Sequence, residues 1–137
     1  MMRRRAFVIG SCLLVACKKE ERCKNCGMKI DPTSAWNADL IGMDDKPVRF
    51  DTPRCAFTYW RGGKMQAKDL RAQDYYERAW KSSAELKFVL GSDVLGPMGP
   101  DLVPVESARA GKFVQDHSAD KAVAAADVTP ALLAEIK

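Results

Sequence analysis

The sequence contains a single histidine and lacks a Gly-rich phosphate loop, a Gly-x-Ser-x-Gly elbow and a His-Glu-x-x-His helix. Without those motifs or a convincing acid–base pair, the chain is not expected to be an enzyme. A basic stripe is missing too. Three of the positive charges behind the formal net charge of +4 are Arg3, Arg4 and Arg5, and without them the chain carries only +1. A nearly neutral chain has no electrostatic footprint for nucleic acid, so no nucleic-acid partner is expected. The apolar run at residues 6–16 falls short of the ~20 residues that a membrane-spanning helix needs. The 137 residues, 47% of them hydrophobic, suit one compact domain or two very small ones.

The short apolar run follows three arginines and leads at once into Lys18, Lys19, Glu20, Glu21 and Arg22, the pattern of an export signal. Leu14-Val15-Ala16-Cys17 resembles a bacterial lipobox, which predicts removal of residues 1–16 and a lipid on Cys17. Ordinary cleavage after a small residue is the alternative. The expected location is therefore the periplasmic side of a bacterial membrane, with the lipid bilayer as a partner through the anchor. Of the five cysteines, Cys23, Cys26 and Cys55 then remain as thiols. One disulfide among them would still leave one thiol unaccounted for.

Residues 17–33 read as a charged tether followed by a turn-rich loop holding Gly27 and Pro32. Residues 34–137 read as an α+β region made of two half-repeats, about 34–82 and 83–137. In the first, strands are expected at 35–42 and 47–50 around the turn Met43-Asp44-Asp45-Lys46. Asp51-Thr52-Pro53 offers a capped helix start, Gly62-Gly63 an end, and residues 75–80 a third strand. In the second, strands at 85–90 and 102–105 flank a loop at 91–101. A helix capped by Ser107 then runs to His117, residues 122–128 give a strand, and a short helix starts at Thr129-Pro130. Two strand-strand-helix-strand units in succession point to a diverged duplication.

The strongest local signal is Cys23-Lys24-Asn25-Cys26-Gly27-Met28. A Cys-x-x-Cys turn brings two sulfurs together, Gly27 allows the bend, and Cys26 and Met28 project to one face of an extended stretch. Thiolate and thioether are soft donors that select Cu(I) over calcium, magnesium or manganese. A Cys23–Cys26 disulfide with Met28 as core filler remains open beside it. Met98 lies in Gly96-Pro97-Met98-Gly99-Pro100, a surface loop off any periodic apolar face, which favours a ligand over a gap-filling side chain. His117 suits copper or zinc as a neutral imidazole, and equally suits the end of a helix as an exposed or capping group. Cys55, one turn into the first helix, is either a buried small hydrophobe or a functional thiol.

These pieces together resemble the NosL family, copper lipoproteins that accompany nitrous oxide reductase. The resemblance rests on the lipobox at Cys17, Cys26-Gly27-Met28, Phe50-Asp51-Thr52 with Cys55, Gly96-Pro97-Met98-Gly99 followed by Val103-Pro104-Val105, and Phe113-Val114-Gln115-Asp116-His117. It implies Cu(I) as the bound ion, Cys26, Met28 and Met98 as leading ligands, His117 as a further one, and Cys23 and Cys55 as a second tier. Ser118-Ala119 stand where family members carry glycines. The implied role is a copper chaperone whose client is a copper enzyme such as nitrous oxide reductase. The nine residue steps from Cys17 to Cys26 keep the site near the membrane, which adds a membrane transporter as the expected supplier. Two other readings compete. A thiol–disulfide redox protein would use Cys23 and Cys26, and a structural zinc site would use Cys23, Cys26, Cys55 and His117. Neither gives Met28 and Met98 a task.

Overall fold

A computed structural model of the protein describes residues 20–137. The expected export signal and the expected lipid-attachment position Cys17 lie outside the described residues. The order of elements is β1 (Ala38–Gly42), β2 (Pro47–Phe50), α1 (Pro53–Arg61), β3 (Ala67–Gln73), β4 (Trp80–Ser82), β5 (Leu86–Leu90), β6 (Leu95–Gly96), β7 (Gly99–Pro100), β8 (Val103–Glu106), α2 (Ala110–Asp116), β9 (Lys121–Val123) and α3 (Pro130–Ala134).

The strands build a sheet of order β2-β1-β3-β4 and a second of order β8-β5-β9, all neighbours antiparallel. In each, the first strand of the unit is flanked by the second on one side and the third on the other, with the helix inserted in the chain before the third. The two units are thus topological copies, as the repeated sequence pattern predicts. They share a main core: Leu40, Phe50, Phe57 and Leu70 of the first unit cluster with Leu86, Phe88, Leu90, Leu102 and Val128 of the second. Strand β5 joins this core to a smaller one because side chains alternate along a strand. Leu86, Phe88 and Leu90 enter the main core, while Val89 turns the other way onto Val103, Val105, Ala110 and Phe113.

The ends of α1 are written in its residues. Thr52 is the N-cap, Pro53 stands in the first turn where its missing N–H costs nothing, and Gly62 closes the helix. Its apolar side buries Cys55, Ala56 and Phe57, and Phe57 meets Phe88 edge-on at 4.9 Å between ring centroids. At the other end Arg61 donates to the carbonyls of Val128 (2.8 Å) and Ala125 (2.7 Å), which ties α1 to the C-terminal segment.

Several elements differ from the sequence-based expectation. The third strand of the first unit is residues 67–73, not 75–80. Residues 75–77 are a turn and Trp80 begins β4; the turn is held by the Asp74 carboxylate, which accepts from the N–H groups of Glu77 (2.8 Å) and Glu106 (2.7 Å). The strand expected at 122–128 is only Lys121–Val123, followed by a 3-10 turn at Ala125–Asp127. Ser107 does not cap α2: its hydroxyl donates to the Glu85 carbonyl instead, and a 3-10 turn leads into the helix. The loop at 91–101 contains the small hairpin β6–β7, with Pro97 and Met98 at its tip.

Candidate metal centre

Residues 23–28 form a closed loop. The Cys23 N–H donates to the Met28 carbonyl (2.9 Å), the Gly27 N–H donates to the Cys23 carbonyl (2.8 Å), and Arg22 and Lys29 pair as a bridge on either side. Gly27 has φ +78°, a left-handed conformation that favours glycine. Cys23 and Ile30 sink into the main core and fix the loop at both ends. Cys26 is left at the surface.

Two further donors arrive from the junction of β2 and α1. Phe50 anchors the end of β2 in the core, which places Asp51 in a buried position just before the helix cap. The Thr52 hydroxyl accepts from the Cys55 N–H at 3.2 Å, setting Cys55 in the first helical turn with its side chain inward. The Sγ atoms of Cys23, Cys26 and Cys55 and a carboxylate oxygen of Asp51 consequently all lie within 4.8 Å of one another. All three cysteines are free thiols.

The electrostatics of the cluster are uneven. Hydrogen bonding from the Cys55 thiol outweighs burial and brings Cys23 down to about 6, while its own role as donor, together with burial, holds Cys55 far above the ordinary thiol value. The buried pair thus carries one thiolate near neutral pH. Cys26 is pushed up to about 11, chiefly by desolvation of its sulfur and further by the neighbouring carboxylate. Its thiol donates to Asp51 Oδ2 at 3.2 Å. Asp51 Oδ1 is buried without any hydrogen-bond partner. An orphaned carboxylate oxygen beside three sulfurs makes a group that could hold a cation, because a buried acceptor left unpaired is costly.

The cluster opens onto a groove lined by Asn25, Cys26, Cys55, Arg54, Met98 and Asp101. The β6–β7 hairpin thereby brings Met98 to the same groove as two of the thiols, from 43 residues further along the chain than Cys55. Met98 is 44% exposed and Met28 43% exposed, so neither fills the core. Arg54 and Asp101 hold the groove's far wall. The Arg54 N–H donates to Asp101 Oδ1 (2.9 Å), and the guanidinium reaches the carbonyls of Pro100 (3.3 Å) and Ile136 (3.2 Å).

His117 lies in the other unit, at the end of α2. Its Nδ1 is 2.7 Å from Asp93 Oδ1 and its ring stacks on Phe113 at 4.2 Å. The structure does not bring it into the group of donors around Cys26. The residue that sequence reasoning passed over is Asp51. It stood inside Phe50-Asp51-Thr52, a piece of the family resemblance and a helix start, but was not read as a donor, and its closeness to Cys26 arises from folding across 25 positions.

The comparisons with known proteins agree with this architecture. A crystal structure of the copper chaperone NosL from Shewanella denitrificans superposes with a TM-score of 0.69 at 20% identity, covering 95% of this chain and 99% of that one. No curated protein matches the sequence. The NosL family model matches residues 14–133, nearly the whole chain, and the protein therefore belongs to the NosL family.

Proposed function

We propose that the chain binds Cu(I) as cargo through its sulfur cluster and passes it to a copper enzyme outside the cytoplasm. The observation that carries this reading is the convergence of three thiols and a partly orphaned carboxylate within 4.8 Å, with Cys26 alone at the surface. Soft thiolates favour Cu(I), the thioether of Met98 extends the same preference into the groove, and exposed Met28 adds a further soft donor two residues from Cys26. Copper arriving at the groove meets Cys26 and Met98 first. The Cys26 proton leaves as the metal–sulfur bond forms, and Cys23 already supplies a thiolate beneath. Release reverses the route: a client's donor replaces the exposed ligands one at a time, so the ion never enters water.

Family membership and the likeness to a copper chaperone support a carrier role. The client we propose is nitrous oxide reductase during assembly of its copper centre, with a membrane transporter as the supplier. A lipid on Cys17 would hold the carrier beside that transporter, and mass spectrometry of the membrane fraction tests it. An unmodified N-terminus in the soluble periplasm contradicts the anchor. X-ray absorption of the reduced, Cu(I)-loaded chain tests the site. A sulfur shell with no imidazole contribution is expected, and an imidazole signal that vanishes in His117→Ala would contradict it.

Zinc is the second reading, favoured by one observation: three sulfurs and one carboxylate oxygen make the four donors of a tetrahedral site. Zinc leaves Met28 and Met98 unused. Competition decides between the two, since a chain loaded with zinc should surrender it to stoichiometric Cu(I). The redox reading is weaker, because the thiol with the lowered pKa is buried and the exposed one is raised, the reverse of an activated nucleophile.

A further inference from the structure

The three thiols are not equivalent. Cys26 is exposed and donates outward to Asp51. Cys23 and Cys55 are buried at 2% and 3% exposure in the main core, with their sulfurs within 4.8 Å of each other. They belong to different elements, one to the N-terminal loop and the other to α1. In an oxidising compartment three thiols this close pair once and leave a remainder. Pairing Cys23 with Cys26 would consume the one surface thiol and draw it away from Asp51. Pairing Cys23 with Cys55 disturbs neither.

We infer that Cys23 and Cys55 form a disulfide beneath the copper site, fastening the loop of residues 23–28 to α1 and leaving Cys26 as the single free thiol.

The chemistry runs through the exposed sulfur, slowly through its small thiolate fraction, which suffices for a bond made once rather than turned over. The Cys26 thiolate attacks a disulfide-bearing oxidant, forming a mixed disulfide and expelling one thiolate of the oxidant. Cys23 then attacks Cys26 Sγ, expelling the second thiolate and giving a transient Cys23–Cys26 bond. Cys55 attacks Cys23 Sγ, and the Cys26 thiolate leaves. Two thiols lose two protons and two electrons in total, and the oxidant's disulfide is reduced to two thiols. The consequence for copper rests on the carrier reading above. Reduced, the site offers three sulfurs beside the groove that Met98 lines. Oxidised, it offers Cys26 with Met98, a looser site suited to handing its ion on.

Peptide mapping tests the bond without any copper, so its outcome is separate from that of the carrier reading. Trypsin cuts after Arg22, Lys24, Lys29, Arg54 and Arg61, which puts the three cysteines on separate peptides 23–24, 25–29 and 55–61. The full chain extracted from membranes is equilibrated with oxidised glutathione, alkylated in acid and digested without reductant. The expected result is peptide 23–24 joined to 55–61, with Cys26 alkylated, and a thermal midpoint that falls by several degrees on reduction. A link from 25–29 to either other peptide, a link to any other cysteine, or three alkylated thiols would each overturn the inference.

Discussion

The Cys26 thiol donates to Asp51 Oδ2 at 3.2 Å, and the same carboxylate keeps its other oxygen buried and unpartnered. The carboxylate thus holds a proton on the exposed sulfur until something displaces it. Asp51→Asn removes the charge while keeping the shape. The Cys26 thiol, raised to about 11 with the carboxylate as one contributor, should then titrate lower. Peptide-resolved alkylation rates against pH measure this, and an unchanged profile would remove Asp51 from the account.

The pH dependence of copper binding follows from the same thiols. Cys23, at about 6, is already a thiolate at pH 7, whereas Cys26 and Cys55 are protonated there. Cu(I) must displace those protons, so affinity increases with pH above 7. The reduced protein should gain about 100-fold per pH unit, two protons being released per ion. With Cys23 and Cys55 bonded, the gain should drop to about tenfold. Competitive titrations at several pH values read the slope, and a flat profile would exclude Cys26 and Cys55 as donors.

Much of this arrangement was legible in the sequence, and what was missed has physical causes. Thr52-Pro53 and Gly62 marked both ends of α1, because caps act locally. Strand β3 escaped notice because only Leu70 and Ala72 face the core among Lys68, Asp69 and Arg71, too few to show alternation. Tyr75 and Tyr76 imitated a strand through their composition, while Trp80 only begins the short strand β4. Tyr75 and Tyr76 instead pack against Phe113 from a turn that Asp74 closes. The Cys-x-x-Cys loop was plain in the chain, but its meeting with Asp51 and Cys55 exists only after β2 and α1 are folded onto it.

Asp101 shows burial at work on the groove wall. Burial raises its carboxyl to about 6, against the pull of the Arg54 and Leu102 N–H groups. A raised carboxyl contributes stability below its unfolded value of 3.8, and that contribution is lost as pH rises through about 6. Asp101→Asn keeps an acceptor for both N–H groups and carries no charge. At pH 7.5 the variant should be more stable than the parent by about 1–3 kcal/mol, and its stability should vary less between pH 4 and 7. Thermal melts across that range check it. A variant destabilised at pH 7.5 would mean that the ionised carboxylate is needed.

Met98→Leu separates ligand from filler. The side chain is 44% exposed, so the apo protein should change by less than about 0.5 kcal/mol while Cu(I) affinity falls. Denaturant unfolding of the apo form and a copper titration are read side by side. A loss of several kcal/mol in the apo form would show that Met98 packs rather than binds.

The most direct test is a competitive Cu(I) titration of the reduced full chain against a chromophoric chelator, run in parallel on Cys26→Ser. One Cu(I) per chain is expected, with a loss on the order of 100-fold or more in the variant, about 2.7 kcal/mol of binding free energy. Binding that is unchanged in Cys26→Ser would contradict that expectation, because the only surface thiol of the cluster would then have no part in holding the ion.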